Sequence, residues 1–314
     1  LTPQGIIMDN SFNIYVANYG NPENAILKIV QDISSNDTFN SAVDGISRPR
    51  QNVSDATTKK IYIADGHGYI PVLNYDGTIE RYAENTLLKD YAGSVALRNK
   101  PPTSAIGPFL VACPLFLSSI YPFVSIVPNQ TDPINGVPVV TNVTITSGVL
   151  NGLGFGNCMF DSATDPDAKL YVPTGAGPGA IASPPTINKA TFTSDSTITV
   201  EAMTISGLQE IETQPGFPAT AAPIQAIAFS TTRINMYMLP GDESTAGYTG
   251  AWELKRVQNY QGAGPHVATT LVTFPTYSAS LGGVRPYSAL SVDKYDYIYA
   301  VVRSRYYRIN PDGQ

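Results

Sequence analysis

An all-β fold built from repeated small antiparallel sheets is the architecture this sequence predicts, and three observations predict it. Short apolar runs bounded by Gly, Pro, Asn and Asp recur along the whole chain, as strands joined by tight turns do. One pattern returns from end to end: an apolar strand closed by Asp, a polar turn, then a second strand carrying Tyr. No stretch carries the long period of an amphipathic helix, which sets aside most α/β alternatives.

The first repeat is the clearest. Pro3-Gln4-Gly5-Ile6-Ile7-Met8 is a strand ending on Asp9, Ile14-Tyr15-Val16-Ala17-Asn18 is its partner, and Ala25 to Val30 lies outside them. The second runs Pro49-Arg50-Gln51-Asn52-Val53-Ser54-Asp55, then Lys60-Ile61-Tyr62-Ile63-Ala64-Asp65, with the same six-residue interval from Pro to Asp. Its outer strands, Ile70 to Tyr75 and Thr78 to Tyr82, flank Asp76-Gly77, a hairpin signal because Gly accepts the positive φ of such turns. In the third repeat, the faintest, Pro108 to Leu115 is expected as the inner strand and Ser119-Ile120-Tyr121 as the second.

The fourth repeat gives Asn157 to Asp161, a longer turn through Asp165-Pro166-Asp167, then Lys169 to Val172. The fifth gives Pro223 to Ser230 and Asn235 to Met238. The sixth gives Pro286 to Asp293, Tyr297 to Val301, and Tyr306 to Ile309 with the turn Asn310-Pro311-Asp312-Gly313. The markers Tyr15, Tyr62, Tyr121, Tyr171, Tyr237 and Tyr299 stand 47, 59, 50, 66 and 62 residues apart. A four-stranded propeller blade takes roughly 40–50 residues, and long inter-strand loops such as Gly175 to Ser183 and Gly241 to Gly250 account for the excess.

The expected fold is therefore a single six-bladed β-propeller of four-stranded antiparallel blades with long inter-strand loops. Its blades fall near 1–48, 49–105, 106–150, 151–220, 221–284 and 285–314. A small sheet with two apolar faces cannot bury both alone, and radial stacking covers them. The turn at Gly313 would lead to an outermost strand, so the sixth blade is expected to be three-stranded unless a strand comes from elsewhere.

Composition narrows the function. The 314 residues are 43% apolar and only 14% charged, with 26 Gly, 25 Pro and 19 Tyr. That is an ordinary apolar share beside a charge content well below the usual quarter, and it excludes a disordered chain. A net charge of −6 without any basic run excludes a nucleic-acid surface. Phe109 to Val127 holds no charge over 19 positions, yet Pro114, Pro122 and Ser118-Ser119 interrupt it. It reads as two buried strands and a turn rather than a membrane span.

Pro-x-Gly-Ile-(apolar)-x-Asp, a short turn, then Ile14-Tyr15-Val16-Ala17-Asn18 resembles the NHL repeat of β-propellers. The likeness is close over Pro3–Asn18 and fair over Asn52–Gly77 and Ser288–Gly313. The resemblance implies a propeller used chiefly for binding. Some six-bladed propellers of this kind are metal-dependent lactonases or esterases with an ion in the central channel.

The candidate site residues point away from chemistry. Asp9, Asp55, Asp161 and Asp293 recur at one place, where a carboxylate at a strand end accepts hydrogen bonds from the turn that follows; Asn18 and Asp65 close second strands in the same way. The inner strands supply almost no carboxylates before that turn, too few for a channel ion needing several oxygen ligands. Only His67 and His266 exist, and His67 lies between glycines without an identifiable nucleophile nearby. The Gly-rich run Gly152 to Gly156 lacks the Lys and following helix of a phosphate cradle. No catalytic, cofactor or metal residue is assigned, and no cofactor is expected.

Cys113 and Cys158 fall in neighbouring repeats, where a disulfide and two buried thiols are both consistent with the spacing; an oxidising exterior favours the bond. Four sequons, at Asn36, Asn52, Asn129 and Asn142, are candidate N-glycosylation sites, Asn52 the weakest because it sits inside a strand. The expected function is a non-catalytic, secreted or cell-surface module that binds a protein partner or copies of itself, as the subunit of a surface assembly or filament. Abundant Tyr suits such contacts. The competing expectation is a metal-dependent propeller hydrolase or lactonase with an ion in the channel. A carbohydrate-binding propeller would instead need exposed aromatics such as Tyr69, Tyr75 and Trp252 on one face.

Overall fold

The computed structural model describes residues 3–9, 13–18, 25–29, 36–40, 46, 49–55, 57–65, 68–89, 93–98, 109–113, 123–127, 138–150, 156–165, 167–174, 185–211, 220–241, 251–276, 288–302 and 305–314. Among these the chain is all-β, and its one helical turn is Thr86–Leu88. The strands form successive antiparallel meanders. The first comprises β1 (Pro3–Met8), β2 (Ile14–Asn18), β3 (Ala25–Ile29) and β4 (Asn36–Asn40). The second comprises β5 (Asn52–Asp55), β6 (Lys60–Ile63), β7 (Ile70–Asn74) and β8 (Ile79–Tyr82). Gly77 closes the β7–β8 hairpin at φ +94°, with its N–H donating to the Asn74 carbonyl at 2.9 Å.

The third meander contains β9 (Ser94–Leu97), β10 (Leu110–Cys113), β11 (Phe123–Val127) and β12 (Val139–Ser147). The fourth contains β13 (Met159–Phe160), β14 (Leu170–Thr174), β15 (Thr186–Phe192) and β16 (Thr197–Met203). Two short pieces, β17 (Ile205–Ser206) and the pair β18 (Glu210–Ile211) with β19 (Thr220–Ala221), lead into the fifth. That meander is β20 (Ile224–Phe229), β21 (Asn235–Pro240), β22 (Glu253–Gln258) and β23 (His266–Thr273). The sixth has three strands among the described residues, β24 (Ser288–Val292), β25 (Ile298–Val302) and β26 (Arg305–Ile309).

The third repeat corrects the sequence expectation. Its first strand is Ser94–Leu97, and Leu110–Cys113, expected innermost, pairs between that strand and Phe123–Val127. The boundary expected near residue 105 therefore falls before Ser94. Ser94-Val95-Ala96-Leu97 is short and carries neither the Pro nor the Asp that marks its counterparts, so the pattern attached itself to the next apolar run. Tyr121 lies outside the described residues.

Side-chain alternation along each strand explains how the meanders assemble. On β2, Tyr15 and Ala17 join Ile61, Ile63 and Leu73 of the second meander, while Val16 between them joins Tyr299 and Val301 of the sixth. On β6 the same split sends Tyr62 to Phe109 and Ile126 of the third. Val111 and Phe123 of the third meet Phe160, Leu170 and Ile198 of the fourth. Tyr171 of the fourth meets Phe229, Met236 and Tyr260 of the fifth. Tyr237, Trp252 and Leu254 of the fifth meet Leu290 and Ala300 of the sixth. Tyr15, Tyr62, Tyr171, Tyr237 and Tyr299 all point to the meander that follows, the last of them to the first. A fully buried apolar side chain at these contacts, such as Val16, Ile61 or Phe123, stabilises by about 1.5–3 kcal/mol.

Two parallel pairings had no sequence signal. The second half of the nine-residue β12 leaves β11 and pairs with β16 at Thr144–Thr197 and Ile145–Ile198, joining the outer edges of the third and fourth meanders. β17 likewise adds to β23 at Ile205–His266. Both cover outer strands whose open N–H and C=O groups would template association.

Glycine permits the close approach of meanders near their first strands. A Cβ on Gly5 would lie 2.5 Å from the Arg50 carbonyl oxygen and 2.8 Å from the Gln51 Cα, and one on Gly156 would lie 2.5 Å from the Gln225 carbonyl oxygen. These are backbone atoms and cannot swing aside. Gly5→Ala is expected to destabilise the protein by about 1–3 kcal/mol through overpacking, whereas Gly264→Ala, whose nearest neighbour is a His266 side-chain atom at 3.7 Å, leaves the urea midpoint nearly unchanged.

Candidate functional site

The ends of the first strands are organised by the recurring aspartates. Asp9 accepts from the Asn13 N–H at 2.9 Å, from its side-chain amide at 2.8 Å and from the Tyr15 hydroxyl at 3.2 Å. Asp293 accepts from the N–H groups of Tyr295 and Tyr297 at 2.8 and 2.9 Å and from the Tyr299 hydroxyl at 3.3 Å. Asp55 accepts from the Thr57 N–H and the Thr58 hydroxyl. In the first and sixth repeats the marker Tyr thus also ties the second strand to the turn carboxylate. Burial, with Tyr82 and then Asp55 nearby, holds the Tyr62 hydroxyl well above its ordinary pKa.

These strand ends surround a cavity of about 330 Å³, within the size range of small-ligand sites. Its wall is drawn from the first strand of every meander: Ile7, Val53, Leu97, Phe160, Phe229 and Val292. Hydroxyls of Ser54, Ser162, Thr164, Ser230, Thr231 and Ser291 are distributed around it. Several already serve the fold. Ser230 Oγ accepts from the N–H groups of Ile234 and Asn235, Ser162 Oγ from those of Thr164 and Asp165, and the Ser54 hydroxyl donates to the Met8 carbonyl.

Among the described residues the one charged group on the wall is Asp161, and it is engaged. Its side chain is fully buried, and Arg233 from the fifth meander donates to its Oδ2 at 2.8 Å. Gln261 Nε2 reaches the same oxygen at 2.9 Å, while Oδ1 accepts the Lys169 N–H at 2.9 Å. Tyr260 adds a long contact at 3.4 Å. Arg233 also binds Asp165, so one guanidinium bridges two carboxylates of the preceding meander. Burial alone would lower the Arg233 pKa, but its bond to Asp161 and the two carboxylate charges raise it. The Asp167 N–H, and then Arg233, hold the Asp165 carboxyl below its ordinary value of 3.8.

Arg233 reaches this position from a left-handed backbone, φ +59°, and Asp296 at φ +64° does the equivalent one meander on, accepting the Thr231 N–H at 2.6 Å. Side chains rarely occupy this region without local compensation. Here each spans to the turn of the preceding meander. Sequence reasoning missed Arg233, in the β20–β21 turn of the fifth repeat, because the carboxylates it binds lie in another repeat. It missed Tyr260 and Gln261 because the β22–β23 turn lies beyond the two-strand repeat pattern; only the contact with the preceding meander reveals them.

The other sequence candidates are dispersed. Cys113 and Cys158 are buried free thiols in the third–fourth cluster. Asn52, one of the four candidate glycan acceptors, is 2% exposed on β5, and neither end of its amide meets a protein hydrogen-bond partner. Asn142 is half-buried on β12, and Asn36 lies on β4. Asn129 and His67 fall outside the described residues. Among the described residues no three His, Cys, Asp or Glu side chains gather as a metal-binding group, and no helix is long and apolar enough to cross a membrane. Trp252 is buried between the fifth and sixth meanders, Tyr75 stacks on Tyr15, and Tyr69 lies beneath Arg81, so they share no face.

No protein-family model matches the chain, and no curated protein matches it in sequence. Solved structures do match in fold. A protein of unknown function from Bacteroides thetaiotaomicron aligns with TM-score 0.60 at 13% identity, over 96% of this chain and 67% of that one. The WD40 repeats of RRP9 align with TM-score 0.55 at 9% identity, over 97% and 88%. Hydrazine synthase of Kuenenia stuttgartiensis aligns with TM-score 0.53 at 8% identity, over 100% and 96%. WD40 repeats build β-propellers, and this chain has a β-propeller fold. Identities this low carry no activity across.

Two outcomes are expected at the Asp161 cluster. Arg233→Ala leaves a buried carboxylate without its counter-ion and lowers stability by about 3 kcal/mol in urea unfolding. Asp165 has a depressed folded pKa, so its contribution is present above its unfolded value and is lost as pH falls through the folded one. Wild-type stability should therefore drop more steeply below about pH 4 than that of Asp165→Asn, as followed by thermal unfolding across an acid series.

Proposed function

We propose that the meanders are the blades of a six-bladed, NHL-like β-propeller acting as a non-catalytic binding or structural module outside the cell, joined to a protein partner or to copies of itself. Support for six blades is the set of apolar clusters that link each meander to the next and the sixth to the first. The observation that carries the non-catalytic reading is the wall of the central cavity. Asp161 is paired with Arg233, and the Ser54, Ser162 and Ser230 hydroxyls hold backbone groups of adjoining turns. Groups committed in this way are poorly placed to exchange protons with a substrate. An apolar wall with neutral hydroxyls suits recognition instead.

Association with further copies of the chain is supported by the outermost described strand of the sixth meander. β26 presents Arg305, Tyr306 and Arg308 to solvent, Tyr306 at 41% exposure. Tyr and Arg are enriched among residues that anchor protein interfaces. Residence outside the cell rests on the sequons, of which Asn142 is half-buried on an outer strand and sterically the more accessible of the two with described side chains.

Light scattering over a range of protein concentrations, with and without a chelator, tests the reading. The expected result is a mass that grows with concentration and ignores the chelator. A monomer whose melting temperature falls on chelation and recovers with calcium would overturn it in favour of a metal-dependent propeller hydrolase. For the secretory reading, expression through a eukaryotic secretory pathway followed by glycopeptide mapping should find carbohydrate on Asn142 and none on Asn52.

A further inference from the structure

The third and fourth meanders are joined more heavily than their apolar contact requires. Their outer edges pair through β12 and β16, and the Arg98 guanidinium of the third donates to the Ala168 carbonyl of the fourth at 3.4 Å. Nearer the first strands, Ser94 sits between the two cysteines of the chain. It is the cross-strand partner of Cys113 in the β9–β10 pairing, and its Oγ accepts the Cys158 N–H at 3.1 Å. Cys113 and Cys158 are fully buried members of one apolar cluster, brought together by Ser94, and the Cys158 thiol donates to the Gly156 carbonyl at 3.9 Å. The chain has no other cysteine.

We infer that Cys113 and Cys158 form an intramolecular disulfide that staples the third meander to the fourth when the chain folds in an oxidising medium. The two residues stand 45 positions apart in sequence, so the bond closes a long loop and restricts the unfolded chain strongly. The oxidant is a small-molecule or protein disulfide. One cysteine thiolate attacks it, releasing one thiol and leaving a mixed disulfide; the second cysteine displaces the other thiol and closes the bond. Two electrons pass to the oxidant, and the two protons lost by the cysteines end on the two released thiols.

Exchange needs a thiolate and an open approach. Burial, and then the neighbouring Cys158 thiol, push the Cys113 thiol well above its ordinary pKa. In the folded protein the pair is therefore shielded, and the bond forms while the third and fourth meanders are docking. Once made, it is shielded from reductants by the same burial. Either thiol alone would be an unremarkable core residue; the contact between them across two meanders makes them a modification site.

The test is refolding of the reduced, denatured full-length chain in a glutathione redox buffer, then alkylation with iodoacetamide in denaturant and peptide mapping without reduction. The expected product is a cross-linked pair of peptides containing Cys113 and Cys158, lighter by two hydrogens and free of alkyl groups. Its melting temperature should lie several degrees above that of the same protein kept in reductant. Cys113→Ser and Cys158→Ser should each abolish this dependence on redox conditions. Folded protein with both cysteines alkylated, or cross-links between chains in place of the internal one, would overturn the inference. The cross-link is read on the unmodified sequence, so the result does not depend on whether either variant folds.

Discussion

The structure depends on one constraint: each small sheet is apolar on both faces and is too thin to bury either by itself. Strand alternation makes the problem symmetric. Along β2, Tyr15 and Ala17 are directed to one neighbour and Val16 to the other, and β6, β14, β21 and β25 divide their side chains in the same way. Packing one face against the next sheet leaves the other uncovered until the last sheet meets the first. Closure is thus a requirement of burial rather than an added feature. Stability in such an array is the sum of neighbour interfaces, and damage at one of them is felt as the opening of the ring.

Closure also creates the site. First strands that meet around a common centre must end there, and their turns form the rim of a cavity that none of the repeats contains alone. The carboxylates at those turns are already committed, Asp9 and Asp293 to their own backbone, Asp161 to a guanidinium from the next meander. Arg233 and Asp296 extend this upper layer of contacts from one turn to another. The rim is polar, its carboxylates held by turn hydrogen bonds and by Arg233, and it lies over an apolar wall. The same fold in the RRP9 WD40 repeats and in hydrazine synthase shows how little fold alone decides about function.

Much of the fold was legible because its elements are local. The Pro-to-Asp interval, the Asp76-Gly77 hairpin and the Tyr markers of the first, second, fourth, fifth and sixth repeats are written within a few residues of each other, and the strands fall where they indicate. The third repeat was misread because Ser94–Leu97 lacks those markers, although its side chains are as buried as any. The parallel joins of β12 to β16 and β17 to β23 were illegible for a different reason. Edge pairing depends on which backbone comes within reach, and Thr144, Thr197, Ile205 and His266 carry no residue type that announces it.

The sequence by itself determined an all-β chain of repeated antiparallel sheets, the two apolar faces that each sheet must bury, and turn-capping roles for Asp9, Asp55 and Asp293. Each follows from hydrogen bonding and alternation over short distances. Only the tertiary structure decided that Asp161 faces Arg233 and Gln261, that Asn52 is buried, and that Cys113 and Cys158 touch across two meanders. Those pairs are separated by tens of residues, and their distances are set by how far each sheet rotates about the common centre. No local pattern encodes that rotation; it emerges from the volumes of side chains packed between sheets.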